Sequence, residues 1–190
     1  MAGRQAKTLS GAQQTAALRE TRKSRYPDRD RVMLLLSTKA GLRAAEIAGL
    51  TWPMVLDAGG RLAGEIALAN SIAKKGSGRT IPVAPLLRSA LLRLRRSGDQ
   101  GHVIKSERGE AMHPGSVVNW FKAFYARLGF LGCSSHSGRR TFITNAARRV
   151  EKSGGSIRDV QQLAGHRSLT HTQRYIEPHS AAQRRLVNLL

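Results

Sequence analysis

Residues 136–141 read His-Ser-Gly-Arg-Arg-Thr, residues 163–166 read Leu-Ala-Gly-His, and residues 172–175 read Thr-Gln-Arg-Tyr. His136 and Arg139 stand three apart, so on a helix they share one face. Gly165 ends a helix and throws His166 into a loop. One short helix later, Tyr175 can return to the same place. A lone tyrosine is usually a core residue with its hydroxyl bonded, but Tyr175 lies in a polar stretch. An arginine, two imidazoles and a phenol within residues 136–175 suit the holding and attack of a phosphodiester.

Two upstream segments bear on that chemistry. In Ala40-Gly41-Leu42-Arg43-Ala44-Ala45-Glu46-Ile47 the glycine stops one helix and the arginine starts the next. A guanidinium at a helix N-terminus suits a phosphate, while the i, i+3 spacing equally allows a plain Arg43–Glu46 pair. In Lys74-Lys75-Gly76-Ser77-Gly78-Arg79 a lysine enters a glycine-bearing turn. Lys75, or Lys74 beside it, could reach a leaving oxygen as a general acid; basic turns are also common on any cationic surface.

The charge agrees with an anionic partner. The chain of 190 residues suffices for one domain with a real core, and it carries 32 Lys+Arg against 12 Asp+Glu, a formal net charge of +20. Of those cations 24 are arginine, whose planar fork meets two phosphate oxygens at once. A protein this basic repels itself unless a polyanion is near, which makes nucleic acid the expected partner. The sequence has no apolar run of membrane-spanning length, no lipidation signal and no secretory signal. A single cysteine, Cys133, excludes an internal disulfide and fits a reducing compartment. The expectation is a cytoplasmic, nucleoid-associated protein. Zinc fails on spacing, because His166 and His171 are five apart and Cys133 has no cysteine partner. His102, His113, His171 and His179 read as surface or cap residues.

Periodicity gives an α+β fold, mainly helical, with a small antiparallel sheet of three strands. Residues 1–25 read as a basic arm, either solvated or in contact with DNA, in which Thr8-Leu9-Ser10 caps a short helix. Residues 26–180 form the main domain. A buried helix carries Val32-Met33-Leu34-Leu35-Leu36 and stops at Gly41, and the next helix ends at Trp52-Pro53. Strands are expected at Met54–Leu56, Gly64–Leu68 and Arg79–Val83, with turns at Gly59-Gly60 and Lys75–Gly78. Helices then open at Pro85 and Pro114, closed by Gly98 and Gly129. Another runs from Ser137 to Val150, with Phe142 and Ala146 inward. The Ser156/Asp159 pair caps one that ends at Gly165. A tail helix over 181–190 carries Leu186, Val187, Leu189 and Leu190, and docks on its own core or on a neighbour.

In order, type and spacing, these segments resemble the catalytic domain of the tyrosine recombinase (phage integrase) family, from about residue 8 to residue 180. The resemblance implies that Arg43, Lys75, His136, Arg139, His166 and Tyr175 form the catalytic set, with Glu46 orienting the first arginine. It implies attack of the Tyr175 oxygen on a DNA phosphorus, leaving a 3′-phosphotyrosine and a free 5′-hydroxyl. Arg43 and Arg139 would clamp the non-bridging oxygens, His136 would assist proton removal or hold the phosphate, His166 would bond a phosphate oxygen, and Lys75 would protonate the departing oxygen. No metal or cofactor is called for. Expected partners are double-stranded DNA, further copies of the chain in a DNA-bound tetramer, and an accessory DNA-bending protein; no membrane is expected. Two other functions fit the same pattern: type IB topoisomerase-like nicking and resealing, and a DNA-binding regulator with weak catalysis. The chain departs from the family at Gly138, commonly leucine, at Arg140, frequently histidine, and at Ala45, usually a small hydroxyl residue. The family's N-terminal clamp domain has no room ahead of residue 26, so the expectation is either a catalytic-domain-only member, to which the initial methionine leans, or an excised piece of a longer protein.

Overall fold

The computed structural model describes residues 5–73, 76–95, 101–175 and 187–188. Lys74, Lys75, Gly98, His179 and all but two residues of the expected tail helix therefore lie outside the described residues.

Helix α2 (Pro27–Lys39) is the axis of the fold. Proline fits its first turn, where the missing N–H has no partner to lose. Asp28 and Asp30 near the start and Lys39 near the end agree with the helix dipole. Every residue from Val32 to Leu36 is buried. A helix apolar all round needs neighbours on all sides, and α2 has them in α3 (Ala44–Gly49), α4 (Pro85–Leu94) and α6 (Ser137–Arg149). Its end turns at Gly41, with φ +65°, where an added Cβ would lie 2.4 Å from the Phe142 ring. Conformation and space both demand glycine there.

Residues 5–25 are not a separate arm. Ser10 caps α1 (Gly11–Glu20) in a reciprocal capping box with Gln13, as the sequence suggests. Leu9 and Ala17, however, belong to the main core. The Leu9 N–H donates to Thr141 Oγ1 of α6 at 2.8 Å, and the Lys7 N–H to the Gly132 carbonyl at 3.0 Å. The basic side chains face water while the few apolar residues between them anchor the segment. The expected boundary at residue 25 is thus not a packing boundary.

The sheet has two strands among the described residues, not the three expected. Strand β1 (Glu65–Leu68) pairs antiparallel with β2 (Arg79–Pro82), Ile66 opposite Ile81, and both of these are buried. The expected first strand, Met54–Leu56, is instead the end of a 3₁₀ turn (Trp52–Met54) followed by one isolated bridge from Leu56 to Leu62. Pro53 fixes its own φ and brings no N–H, which favours the turn over a ladder. The Gly59-Gly60 turn does form, with Gly60 at φ +71°.

Helix α5 (Pro114–Arg127) is capped by His113, whose Nδ1 accepts from the Gly115 N–H, and packs Val117, Phe121, Phe124 and Tyr125 into the core against α3. Helix α7 (Ile157–Ala164) starts at the Ser156/Asp159 capping box. It packs on α6 to form a second, small cluster of Ile143, Val160 and Ala164, against which Phe142 and Tyr175 lie. Helix α8 (Leu169–Gln173) leads directly to Tyr175.

Candidate active site

The site begins at a buried carboxylate. Glu46, in the first turn of α3, has a side chain 1 % exposed. It accepts from the Arg43 N–H at 2.9 Å and from Arg43 Nη1 at 2.7 Å. Arg79, on β2, approaches from the other side with Nη1 and Nη2, each 3.0 Å from a different carboxylate oxygen. Burial pushes the Glu46 carboxyl up, yet the hydrogen bonds and charge of Arg79, then of Arg43, outweigh it and hold it below its ordinary range. Arg43 therefore pairs with Glu46, as the i, i+3 spacing allows, and it also lines a cleft.

The second wall is the end of α7. Gly165, at φ +60°, completes a Schellman turn: its N–H returns to the Gln162 carbonyl at 2.9 Å, and the His166 N–H to Gln161 at 3.1 Å. The two carbonyls just before the turn each take a guanidinium donor. Arg79 Nε donates to Leu163 O at 2.9 Å, and Arg139 Nη2 to Ala164 O at 2.5 Å. Arg139 Nη1 reaches Gly41 O at 2.6 Å, so this one side chain ties α6 to the ends of α2 and α7. Past the turn, His166 Nδ1 lies 3.0 Å from Thr172 Oγ1, a buried hydroxyl of α8.

An open cleft of about 580 Å³ lies between these walls, and Arg43, His136, Arg139, His166 and Tyr175 all line it. His136 is exposed at the N-cap of α6. The Tyr175 ring stacks on His166, centroids 5.7 Å apart, and the Arg140 guanidinium carbon stands 5.8 Å from the Tyr175 centroid. Five of the six residues expected for catalysis thus meet in one place. The sixth, Lys75, lies outside the described residues.

Other residues at the site were not singled out by their sequence positions. His171, read as a surface or cap residue, is exposed and also lines the cleft, its ring centroid 6.1 Å from that of His166. Thr172 holds the histidine, Arg140 and Arg174 add cations to the wall, and Gln5 accepts from Arg140 Nη1. Arg79 is the largest omission: its side chain is only 6 % exposed. The strand pattern was the available signal: Arg79 lies two residues before inward-facing Ile81, so on a strand the two share one face.

The field of the cleft is positive and under-compensated. Burial, and then the charge of Arg43, push the Arg139 guanidinium down to about 9, so it is still cationic at neutral pH. Burial, then Arg139 and Arg43, push His166 down to about 4, which leaves it neutral. One carboxylate faces three arginines, and an anion entering the cleft relieves their mutual repulsion. Among the described residues no group of His, Cys, Asp and Glu comes together as a metal cage, and no helix is long and apolar enough to cross a membrane.

The model of the phage integrase family matches residues 7–182. Tyrosine recombinase XerC of Xanthomonas campestris pv. campestris is 32% identical over 152 residues, covering 77% of this chain and 44% of that protein. XerC of Pelobacter propionicus is 30% identical over 169 residues, covering 85% and 52%. The chain thus spans about half the length of these relatives. Among solved structures, the Tn1549 transposon integrase in complex with a circular intermediate DNA superposes with a TM-score of 0.79 at 18% identity, over 100% of this chain and 67% of that one. The XerA recombinase superposes at 0.70 and 22% identity, over 100% and 65%. At these identities the superpositions establish a shared fold.

Proposed function

Because the chain belongs to the phage integrase family and carries a tyrosine recombinase catalytic domain, we propose that it cuts and rejoins DNA strands through a covalent 3′-phosphotyrosyl intermediate. Tyr175 is the nucleophile. Its oxygen bonds to the scissile phosphorus, the bond to the 5′ oxygen breaks, and the electron pair leaves with that oxygen. Lys75 supplies the proton that makes the departing group a 5′-hydroxyl, and His136 takes or shares the phenol proton. Attack of a 5′-hydroxyl from another strand reverses these events and releases the tyrosine.

The arginines carry the energetic burden. Free tyrosine has a pKa of about 10, so roughly one in a thousand is ionised at neutral pH. Arg43 and Arg139 clamp the non-bridging oxygens and stabilise the crowded transition state. Neutral His166 contributes a hydrogen bond to a phosphate oxygen and a flat surface for the Tyr175 ring. Double-stranded DNA is the substrate, met by the strongly basic chain. Exchange between duplexes calls for further copies of the chain in a tetramer, with an accessory DNA-bending protein to shape the site.

One observation carries the reading: the phenol of Tyr175 lines the same cleft as Arg43, His136, Arg139 and His166, which come from three other segments of the sequence. The test is covalent trapping. Nicked duplexes drawn from a random-sequence pool are offered to the protein, and joined species are recovered under denaturing conditions. The unaltered chain joins a subset; Tyr175→Phe joins none and still binds the same duplexes with salt-sensitive affinity. Equal trapping by Tyr175→Phe would overturn the assignment.

A further inference from the structure

Arg79 stands where the two halves of the cleft are mounted. Its guanidinium occupies both oxygens of Glu46, the carboxylate that holds Arg43, with Nη1 and Nη2 at 3.0 Å each. Its Nε holds Leu163 O at 2.9 Å, in the last turn before Gly165 and His166. Nη1 also reaches Ser77 O at 3.4 Å, within the turn that follows Lys75. Gly165 is packed directly on it: a Cβ there would lie 2.9 Å from Arg79 Nη1 and 3.0 Å from Cδ. Three segments far apart in sequence therefore converge on one buried fork. Lysine, with a point charge on a flexible stem, cannot make this set of bonds together.

From this geometry we infer that Arg79 is a positioning residue for strand cleavage, which sets Arg43 and His166 at their working separation without touching DNA. The inference rests on the recombinase reading above. Its physical content is a competition for Glu46. With Arg79 on both oxygens, the carboxylate is shared, and Arg43 keeps part of its charge for a phosphate in the cleft. Without Arg79, Glu46 has only Arg43 to neutralise it. The closer pair then draws the Arg43 guanidinium toward α3 and away from the phosphate. At the same time Leu163 O loses its donor, and the turn that aims His166 is held by backbone bonds alone. Both changes act on the geometry of the transition state more than on the grip of DNA, because Arg79 is buried and DNA affinity comes mainly from exposed cations.

The test uses nicked duplexes that the unaltered chain joins covalently, and reads the single-turnover rate and the binding constant separately for Arg79→Lys and Arg79→Ala. Thermal unfolding of each variant verifies that it is folded at the assay temperature. The expected result is a rate loss of about 100-fold, the scale of a misplacement near 1 Å, in both variants, with binding changed by less than about 3-fold. Arg79→Lys keeps the charge and still fails, because the fork is lost. Adding millimolar guanidinium to Arg79→Ala restores at least part of the rate, since the ion fits the space between Glu46 and Leu163 O. A purely structural role predicts no such rescue and a rate loss that follows the unfolded fraction; that outcome overturns the inference. So does a rate for Arg79→Lys equal to that of the unaltered chain. If the unaltered chain joins no duplex at all, the recombinase reading fails first, a result distinct from either.

Discussion

The ring of Tyr175 stacks on the imidazole of His166, centroids 5.7 Å apart and planes inclined by 26°. The stack joins a loop residue fixed by a Schellman turn to a phenol at the end of α8. Thr172 braces it from behind through a 3.0 Å contact to His166 Nδ1. The phenol is therefore aimed by a neutral ring held low by burial and by two arginines.

That environment makes His166 a titration marker. Its folded value of about 4 lies below the ordinary 6.5, with burial as the first cause and Arg139 and Arg43 next. A group depressed on folding contributes stability that is whole above its ordinary value and is lost as pH falls through the folded value. Glu46, also held low, acts in the same direction at lower pH. We expect an NMR titration of His166 with its midpoint near 4 in the free protein, and a thermal midpoint that declines from pH 7 to pH 4. Bound DNA adds negative charge and raises the His166 midpoint. A midpoint at or above 6.5 in the free protein contradicts the described burial.

Gly138 departs from the family's leucine for a reason visible in the packing. An added Cβ would lie 2.3 Å from Ser37 Oγ and 2.9 Å from Ser37 Cβ. Helices α2 and α6 approach each other through this glycine. Gly138→Leu should destabilise the fold by at least about 2 kcal/mol through overpacking, a fall in thermal midpoint of about 4–8 °C for a chain of this size. An unchanged midpoint would show that the helices separate freely.

Glu46 is the anion that two arginines share. Glu46→Gln leaves both guanidiniums without their counter-charge. The expected cost is about 3 kcal/mol or more, the usual result of breaking a buried ion pair from one side. Denaturant unfolding measures it, and a loss under about 1 kcal/mol would place the Glu46 side chain in water instead.

Leu9 tests whether the N-terminal segment belongs to the domain. It is 4 % exposed, and its N–H is bonded to Thr141, two residues after Arg139. Leu9→Ala should cost about 2–3 kcal/mol through lost burial and a residual cavity. A neutral effect would restore the picture of a solvated arm.

Most helices were legible because their signals are local. Pro85 and Pro114 start helices, Gly41, Gly129 and Gly165 follow their ends, Ser10 caps the first helix, and Ser156 forms a capping box with Asp159, as the sequence suggests. The candidate site was legible as a set of types in order, and five of its members share a cleft. What escaped was what depends on long-range packing. Arg79 looks like any cation of a basic turn until β2 folds it against Glu46, 33 positions away. His171 is exposed, as its position suggests, but its place beside His166 depends on how α8 packs. The third strand failed because Pro53 favours a 3₁₀ turn, which an apolar run alone does not reveal. The N-terminal segment looked solvated because its charges outnumber Leu9 and Ala17, which nevertheless decide where it lies.

The most direct test of the central claim is to find where DNA is attached. The chain has three tyrosines: Tyr26 lies against the guanidiniums of Arg25 and Arg29, Tyr125 is fully buried, and Tyr175 lines the cleft. A trapped complex is digested with protease and nuclease, and the nucleotide-bearing peptide is identified by mass spectrometry. The account predicts a 3′-phosphonucleotide on Tyr175 and on no other residue. An adduct on Tyr26, on Tyr125 or on a serine would contradict it.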